Sequence, residues 1–257
     1  MELDDHGAQK ASAEASEGEL TKWMCTEAEQ SKISTLRVAV EKEDGNAKGI
    51  DDFTLLRFLR ARDLDIQKAS KMFLKYMSWR SAVMPKGSIS QSEIRNELAQ
   101  NKVFMQGVDK INRPIVVVLG AKHVPYKGNL EEFKRFIAFS LEKISSRILN
   151  EEGKFCAIAD VSGWKYANSD IRGYIAALSI LQDYYPERLG LLFMVHVPLV
   201  FMTAWKLVCP VIDCKTKKKI IFVEDKILSR TLLEYIDENQ LPETYGGKLP
   251  LVPIQDS

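Results

Sequence analysis

Cysteine is scarce in this chain of 257 residues. Its four cysteines, Cys25, Cys156, Cys209 and Cys214, form no CxxC pair and no regular framework. A disulfide scaffold is therefore excluded, and the chain reads as reduced and cytoplasmic. Histidine is scarcer still, and His6, His123 and His196 lack metal-ligand spacing, so no metal site is expected. There is no GxSxG elbow, no Walker loop and no GxGxxG fingerprint. With none of these, no catalytic residue is assigned, no cofactor is expected, and the chain is read as a non-enzyme. Residues 1–18 have no apolar core for export. Neither sign of charge dominates: the net charge is +1. Nucleic acid is not an expected partner.

What remains is ample material for a core. Apolar residues make up 46% of the chain and charged ones 28%, enough to bury a large domain without staples. The charge is uneven. Residues 1–50 hold six Lys/Arg and eleven Asp/Glu, a balance of −5, and the remainder holds 30 and 24, or +6. Residues 1–18 are small, polar and acidic, and are expected to be a disordered tail. From 19 to 87 the pattern is helical. Helices are expected over 20–43 (Leu20, Trp23, Met24, Ile33, Leu36, Val40), over 53–62 behind Asp51-Asp52, and over 66–82 behind Asp65. In the last of these, Ile66, Ala69, Met72, Phe73, Tyr76 and Trp79 form a core-facing stripe.

From about residue 90 strands and helices alternate. Strands are expected at Phe104–Gly107, Ile115–Leu119, Phe155–Val161, Leu191–Val197 and Lys219–Val223, and helices over 131–149, 169–184, 198–208 and 228–239. Continuous apolar runs between helices indicate a layered α/β domain with a buried sheet. The turn Asp109–Asn112 before Arg113-Pro114 adds an antiparallel pair. Asp160 reads best as a strand-end cap for the turn through Ser162-Gly163, and Gly246-Gly247 as a chain turn.

Residues 189–212 are the greasiest stretch, followed closely by Lys215, Lys217, Lys218 and Lys219. Pro198 at its middle, with His196 and Lys206, argues against a membrane span and for a strand followed by a proline-started helix. In helix 198–208 only Thr203 and Lys206 are polar. Such a helix is either fully interior or a lid facing something other than water. In helix 53–62, at about 100° per residue, Arg62 falls within the apolar face of Leu55, Phe58 and Leu59, while Arg57 and Arg60 fall outside it. A guanidinium there either snorkels to water or meets carbonyls, a carboxylate or a ligand anion.

Four elements in order then carry a resemblance. Asp51–Arg62 (DDFTLLRFLRAR), Asp109–Pro114 (DKINRP), Tyr184–Gly190 (YYPERLG) and Leu241–Gly247 (LPETYGG) resemble the signature elements of the CRAL-TRIO lipid-binding family, in its Sec-fourteen-like branch of phosphatidylinositol transfer proteins. The resemblance implies a small N-terminal helical lobe and, over 90–250, an α/β lobe. The mostly parallel mixed sheet of that lobe would floor a lipid pocket under a gate helix. It implies headgroup contacts from Arg62, Glu187, Thr216 and Lys219. The gate helix would present Leu199, Phe201, Met202 and Trp205. Phe155 and Ala157 stand where members that also carry phosphatidylcholine have hydroxyl residues, and Asp63 stands where a basic residue is common.

The expected ligand is phosphatidylinositol or a phosphoinositide. The expected protein is a monomer that visits an anionic membrane surface reversibly and peripherally. It would transfer lipid or, in a second class, sense it at a membrane without transfer. Thr216 and Lys219 would point to opposite faces of a plain strand, so a joint headgroup site requires a turn between them.

Overall fold

A computed structural model describes residues 25–125, 129–150 and 152–257. The expected tail 1–18, and Leu20, Trp23 and Met24 of the first helix, lie outside these residues. Three helices open the chain: α1 (Glu27–Glu43), α2 (Asp52–Arg60) and α3 (Ile66–Val83). Each starts on a side-chain cap. Thr26 and Glu29 form a capping box, Asp51 accepts from the Thr54 amide at 2.8 Å, and Asp65 accepts from the Lys68 amide at 3.0 Å. Ile33, Leu36, Leu55, Phe58, Leu59, Ala69 and Phe73 form the closed core of this lobe. Helix α2 ends two residues earlier than its pattern suggests. Asp63 and Leu64 take left-handed backbone conformations (φ 51° and 62°) and turn the chain into α3.

A short helix, α4 (Arg95–Ala99), escaped the sequence pattern and leads into the second lobe. Strands β1 (Val103–Val108) and β2 (Pro114–Leu119) pair antiparallel around the expected turn. There Asp109 accepts from the Arg113 amide at 2.8 Å and from its Nε at 2.6 Å. Helix α5 (Leu130–Ser146) crosses to β3 (Phe155–Asp160), α6 (Ile171–Tyr184) to β4 (Leu189–Val195), and α7 (Leu199–Val208) with the single turn α8 (Cys214–Lys217) to β5 (Ile220–Phe222). The sheet order is β1-β2-β3-β4-β5, with every pair after the first parallel. Helix α9 (Leu228–Tyr235) stops four residues short of its expected end, because Ile236 turns extended and enters the core. Residues 252–254 stitch onto the free edge of β1 through Met105 N–H to Val252 O and Ile254 N–H to Val103 O, both 3.0 Å.

Alternate residues of each strand serve opposite faces. Ile115, Val117, Cys156, Ile158, Phe193 and Val195 face Leu232, Ile236, Leu241 and Tyr245 in a closed layer. Val116, Ala157, Leu192 and Met194 face the crossover helices. Gly247 keeps the closed layer tight, since a Cβ there would stand 2.0 Å from the Leu241 carbonyl oxygen.

Candidate functional site

The crossover face closes unevenly. Near α5 it is closed, with Phe133, Phe136, Phe139 and Ala157 buried. Near α7 it thins: Ala159, Leu192, Val200, Phe201 and Ile220 are only partly buried around Met194, Trp164 and Ala204. Of the ten residues of α7 only Ala204 and Val208 are buried. Leu199 is 90% exposed and Leu207 60%, so the interior reading of this helix fails. Phe201 meets Trp164 edge-on at 5.4 Å, and Trp205 meets Phe222 at 5.2 Å. Met202 is half-buried. The helix thus lays aromatic edges over a partly exposed apolar face and turns leucines to the outside.

At one end of α7 the backbone is unusual. His196 adopts φ 50°, and Pro198 caps the helix. His196 Nδ1 lies 3.1 Å from Asp160 Oδ1, and Tyr245 donates its hydroxyl to Asp160 Oδ2 at 3.0 Å. Asp160 also accepts from the Ser162 amide at 2.8 Å, the strand-end role read from sequence. Its bond to Tyr245 ties the YGG segment to β3. Sequence reasoning had no signal for that partnership, since 85 residues separate the two groups.

At the other end the two lobes meet on the YYPER turn. Trp79 of α3 stacks on Tyr184 at 4.2 Å, so this end of the expected helical stripe serves the second lobe. The Tyr185 hydroxyl donates to Glu142 at 2.7 Å, and Arg80 donates to the same carboxylate at 2.7 Å. Burial alone would raise the Glu142 carboxyl, but these two donors outweigh it and hold the group below the usual carboxylate range.

The wheel placement of the arginines needs correction. Arg62 lies beyond the end of α2, so its angle on a continued helix does not apply, and its Nη1 donates to the Ala61 carbonyl at 3.0 Å. Arg57, expected outside the apolar stripe, is covered because the second lobe packs on that side. Its Nη1 donates to the Pro186 carbonyl at 3.3 Å. Desolvation, with the nearby charge of Arg188, pushes its guanidinium down to about 10.

Glu187 sits at φ 57° in the same turn, with its Oε2 3.6 Å from Lys219 Nζ. The turn required between Thr216 and Lys219 is present as α8. Asp213 caps it, accepting from the Thr216 amide at 2.8 Å and from the Thr216 hydroxyl at 2.5 Å. Gln182 of α6 holds this loop by accepting from the Asp213 amide at 2.9 Å. Lys215 reaches across to Asp63 at 2.7 Å. Asp63 therefore latches α8 to the end of α2, and Asp65 does the helix capping. Glu187 and Lys219 thus meet between the YYPER turn and α8, which also carries Thr216, while Arg62 hydrogen-bonds within its own turn, to Ala61. Glu187 and Lys219 make the one direct contact among these four residues, and Thr216 already spends its hydroxyl on Asp213.

A sheet with one incompletely covered apolar face under an apolar helix, and a charged corner where the lobes meet, defines a two-lobed α/β protein. A model of the CRAL/TRIO domain matches residues 98–247, and one of the CRAL/TRIO N-terminal domain matches residues 19–75. The chain belongs to the CRAL/TRIO family, and its relatives place it with the Sec14-like lipid-binding and transfer proteins. It is 31% identical over 241 residues to the Sec14 cytosolic factor of Schizosaccharomyces pombe, covering 85% of this chain and 82% of that one. It is 29% identical over 242 residues to the phosphatidylinositol/phosphatidylcholine transfer protein SFH13 of Arabidopsis thaliana, covering 86% of this chain and 38% of that longer protein. The crystal structure of Sfh5 shares the fold, with a TM-score of 0.68 at 18% identity over 91% of this chain and 92% of the other. Among the described residues no helix is long and apolar enough to cross a membrane.

Proposed function

We propose that this chain binds one phosphatidylinositol or phosphoinositide molecule and carries it between membranes, without catalysis. The observation that carries the reading is the contact of Glu187 with Lys219 at 3.6 Å, next to an apolar sheet face that α7 leaves partly exposed. Lys219 and Arg62 supply charge to the phosphate, and Glu187 accepts from inositol hydroxyls. Thr216 donates to the headgroup only after releasing Asp213. The acyl chains lie against Ala159, Leu192 and Ile220, and each buried methylene contributes about 0.8 kcal/mol. The chains therefore supply most of the affinity and the headgroup sets selectivity.

Helix α7 is the gate. Leu199 enters the bilayer surface, Trp205 suits the interface, and Phe201 and Met202 line the inner side. The charges of α8 favour an anionic surface. The name of the Arabidopsis relative, a phosphatidylinositol/phosphatidylcholine transfer protein, supports the inositide. Phe155 and Ala157 point toward the crossover helices and offer no hydroxyl, so phosphatidylcholine is a poor cargo. The protein acts as a monomer in the cytoplasm and touches membranes reversibly.

The test is phosphatidylinositol transfer between vesicles by the wild type and by Lys219→Ala. The expected result is a fall of about tenfold or more, matching a lost charge-assisted bond to phosphate of roughly 1.5–3 kcal/mol. An equal rate in a folded variant contradicts the headgroup assignment. Vesicle flotation without any transfer by the wild type would instead make the protein a sensor.

A further inference from the structure

Residues 1–24 hold six acidic groups (Glu2, Asp4, Asp5, Glu14, Glu17, Glu19) and two basic ones (Lys10, Lys22), a balance of −4. They join the described structure at Cys25, next to Thr26, the cap of α1. From there a short chain of contacts leads to the basic turn α8. Thr26 bonds Glu29, and both oxygens of Glu29 take the Arg60 guanidinium at 2.8 and 3.1 Å. The Arg60 carbonyl accepts from Lys215 Nζ at 3.5 Å. The acidic segment therefore leaves the fold one arginine away from the lysine turn.

Charge on that turn is only partly used. Lys215 pairs with Asp63 and Lys219 with Glu187. Among the described residues Lys217 and Lys218 have no ion-pair partner, and Lys218 is exposed. Held in the same chain, these acidic groups meet the turn at roughly millimolar effective concentration. Opposite charges at that concentration associate at low salt and separate when the screening length falls to a few ångströms.

We propose that the acidic segment 1–24 docks on the lysine turn of α8 in the same molecule. It then competes with an anionic membrane for Lys217 and Lys218. The competition with membrane rests on the function proposed above, whereas the docking does not.

Two experiments on the full chain test this separately. Dilute protein is treated with a zero-length carbodiimide cross-linker, and the joined peptides are read by mass spectrometry. Links within one chain from Glu14, Glu17 or Glu19 to Lys217 or Lys218, fading in high salt, are expected. Links from these carboxylates only to other lysines, or only between two chains, overturn the docking.

In the second experiment all six acidic residues are neutralised (E2Q, D4N, D5N, E14Q, E17Q, E19Q) and flotation with phosphatidylserine-containing vesicles is measured at low salt. Binding should tighten by about threefold or more. In a Lys217→Ser, Lys218→Ser background the same neutralisation should change nothing. An equal gain in both backgrounds means general repulsion from the membrane and overturns the proposal. Cross-links form whether or not the protein transfers lipid, so failure of docking and failure of the lipid function give different results.

Discussion

The two faces of the sheet are made from the same strands and do different jobs. On the α9 side Ile115, Val117, Cys156, Ile158, Phe193 and Val195 are each fully buried, and Phe193 meets Tyr235 edge-on at 5.2 Å. On the α7 side the neighbouring residues Ala159, Leu192 and Ile220 are only partly covered. One face is packed as a protein interior is packed. The other is left short of partners, and an apolar surface short of partners is where a greasy ligand gains most. The comparison teaches that one face carries the packing while the other is left open for the proposed cargo, and adjacent residues of β4 can test the division.

Phe193→Ala should cost the most, about 3–5 kcal/mol of unfolding free energy, because it opens a cavity in the closed face. Acid comes next. At the far end of the crossover face His123 is buried between Lys102 Nζ, 2.9 Å from its Nδ1, and Asp170, 3.2 Å from its Nε2, with Phe133 and Tyr174 against the ring. Burial and the charge of Lys102 push the imidazole down to about 4 against 6.5 ordinarily. A depressed folded value means the unfolded chain takes up the proton first. This contribution is therefore complete above about pH 6.5 and is lost as pH falls toward 4. The loss is on the order of 3 kcal/mol, read as a falling denaturant midpoint that His123→Gln flattens.

Leu192→Ala, one residue from Phe193 but on the open face, should cost only about 1–2 kcal/mol, below the range for a fully buried leucine. Equal costs at 192 and 193 would break the comparison. Leu199→Ser should change stability by no more than about 0.5 kcal/mol while weakening vesicle binding by the protein.

Much of the fold was legible because its periods are strong. All five strands stand within two residues of their apolar runs, and the helices over 66–82, 169–184 and 198–208 match their patterns closely. The failures have local causes. Helix α2 stops at Arg60 because Asp63 and Leu64 turn left-handed, which no side-chain period announces. Helix α4 is too short to show a period.

At the candidate site, spacing alone showed that Thr216 and Lys219 could not share a face of a plain strand, and the turn that the resemblance therefore required is present as α8. The contacts of Arg57 with Pro186 and of Asp160 with Tyr245 were not, since each joins segments more than 80 residues apart. A burial pattern reports that a residue is covered, not what covers it.

The proposed cargo is tested most directly by native mass spectrometry of the protein purified from a eukaryotic host. The account predicts one phosphatidylinositol or phosphoinositide per chain, released when the protein is unfolded and reduced in occupancy in the Lys219→Ala variant. A protein that carries no lipid, or that carries one without a phosphate, with occupancy unaffected by the loss of Lys219, would contradict it.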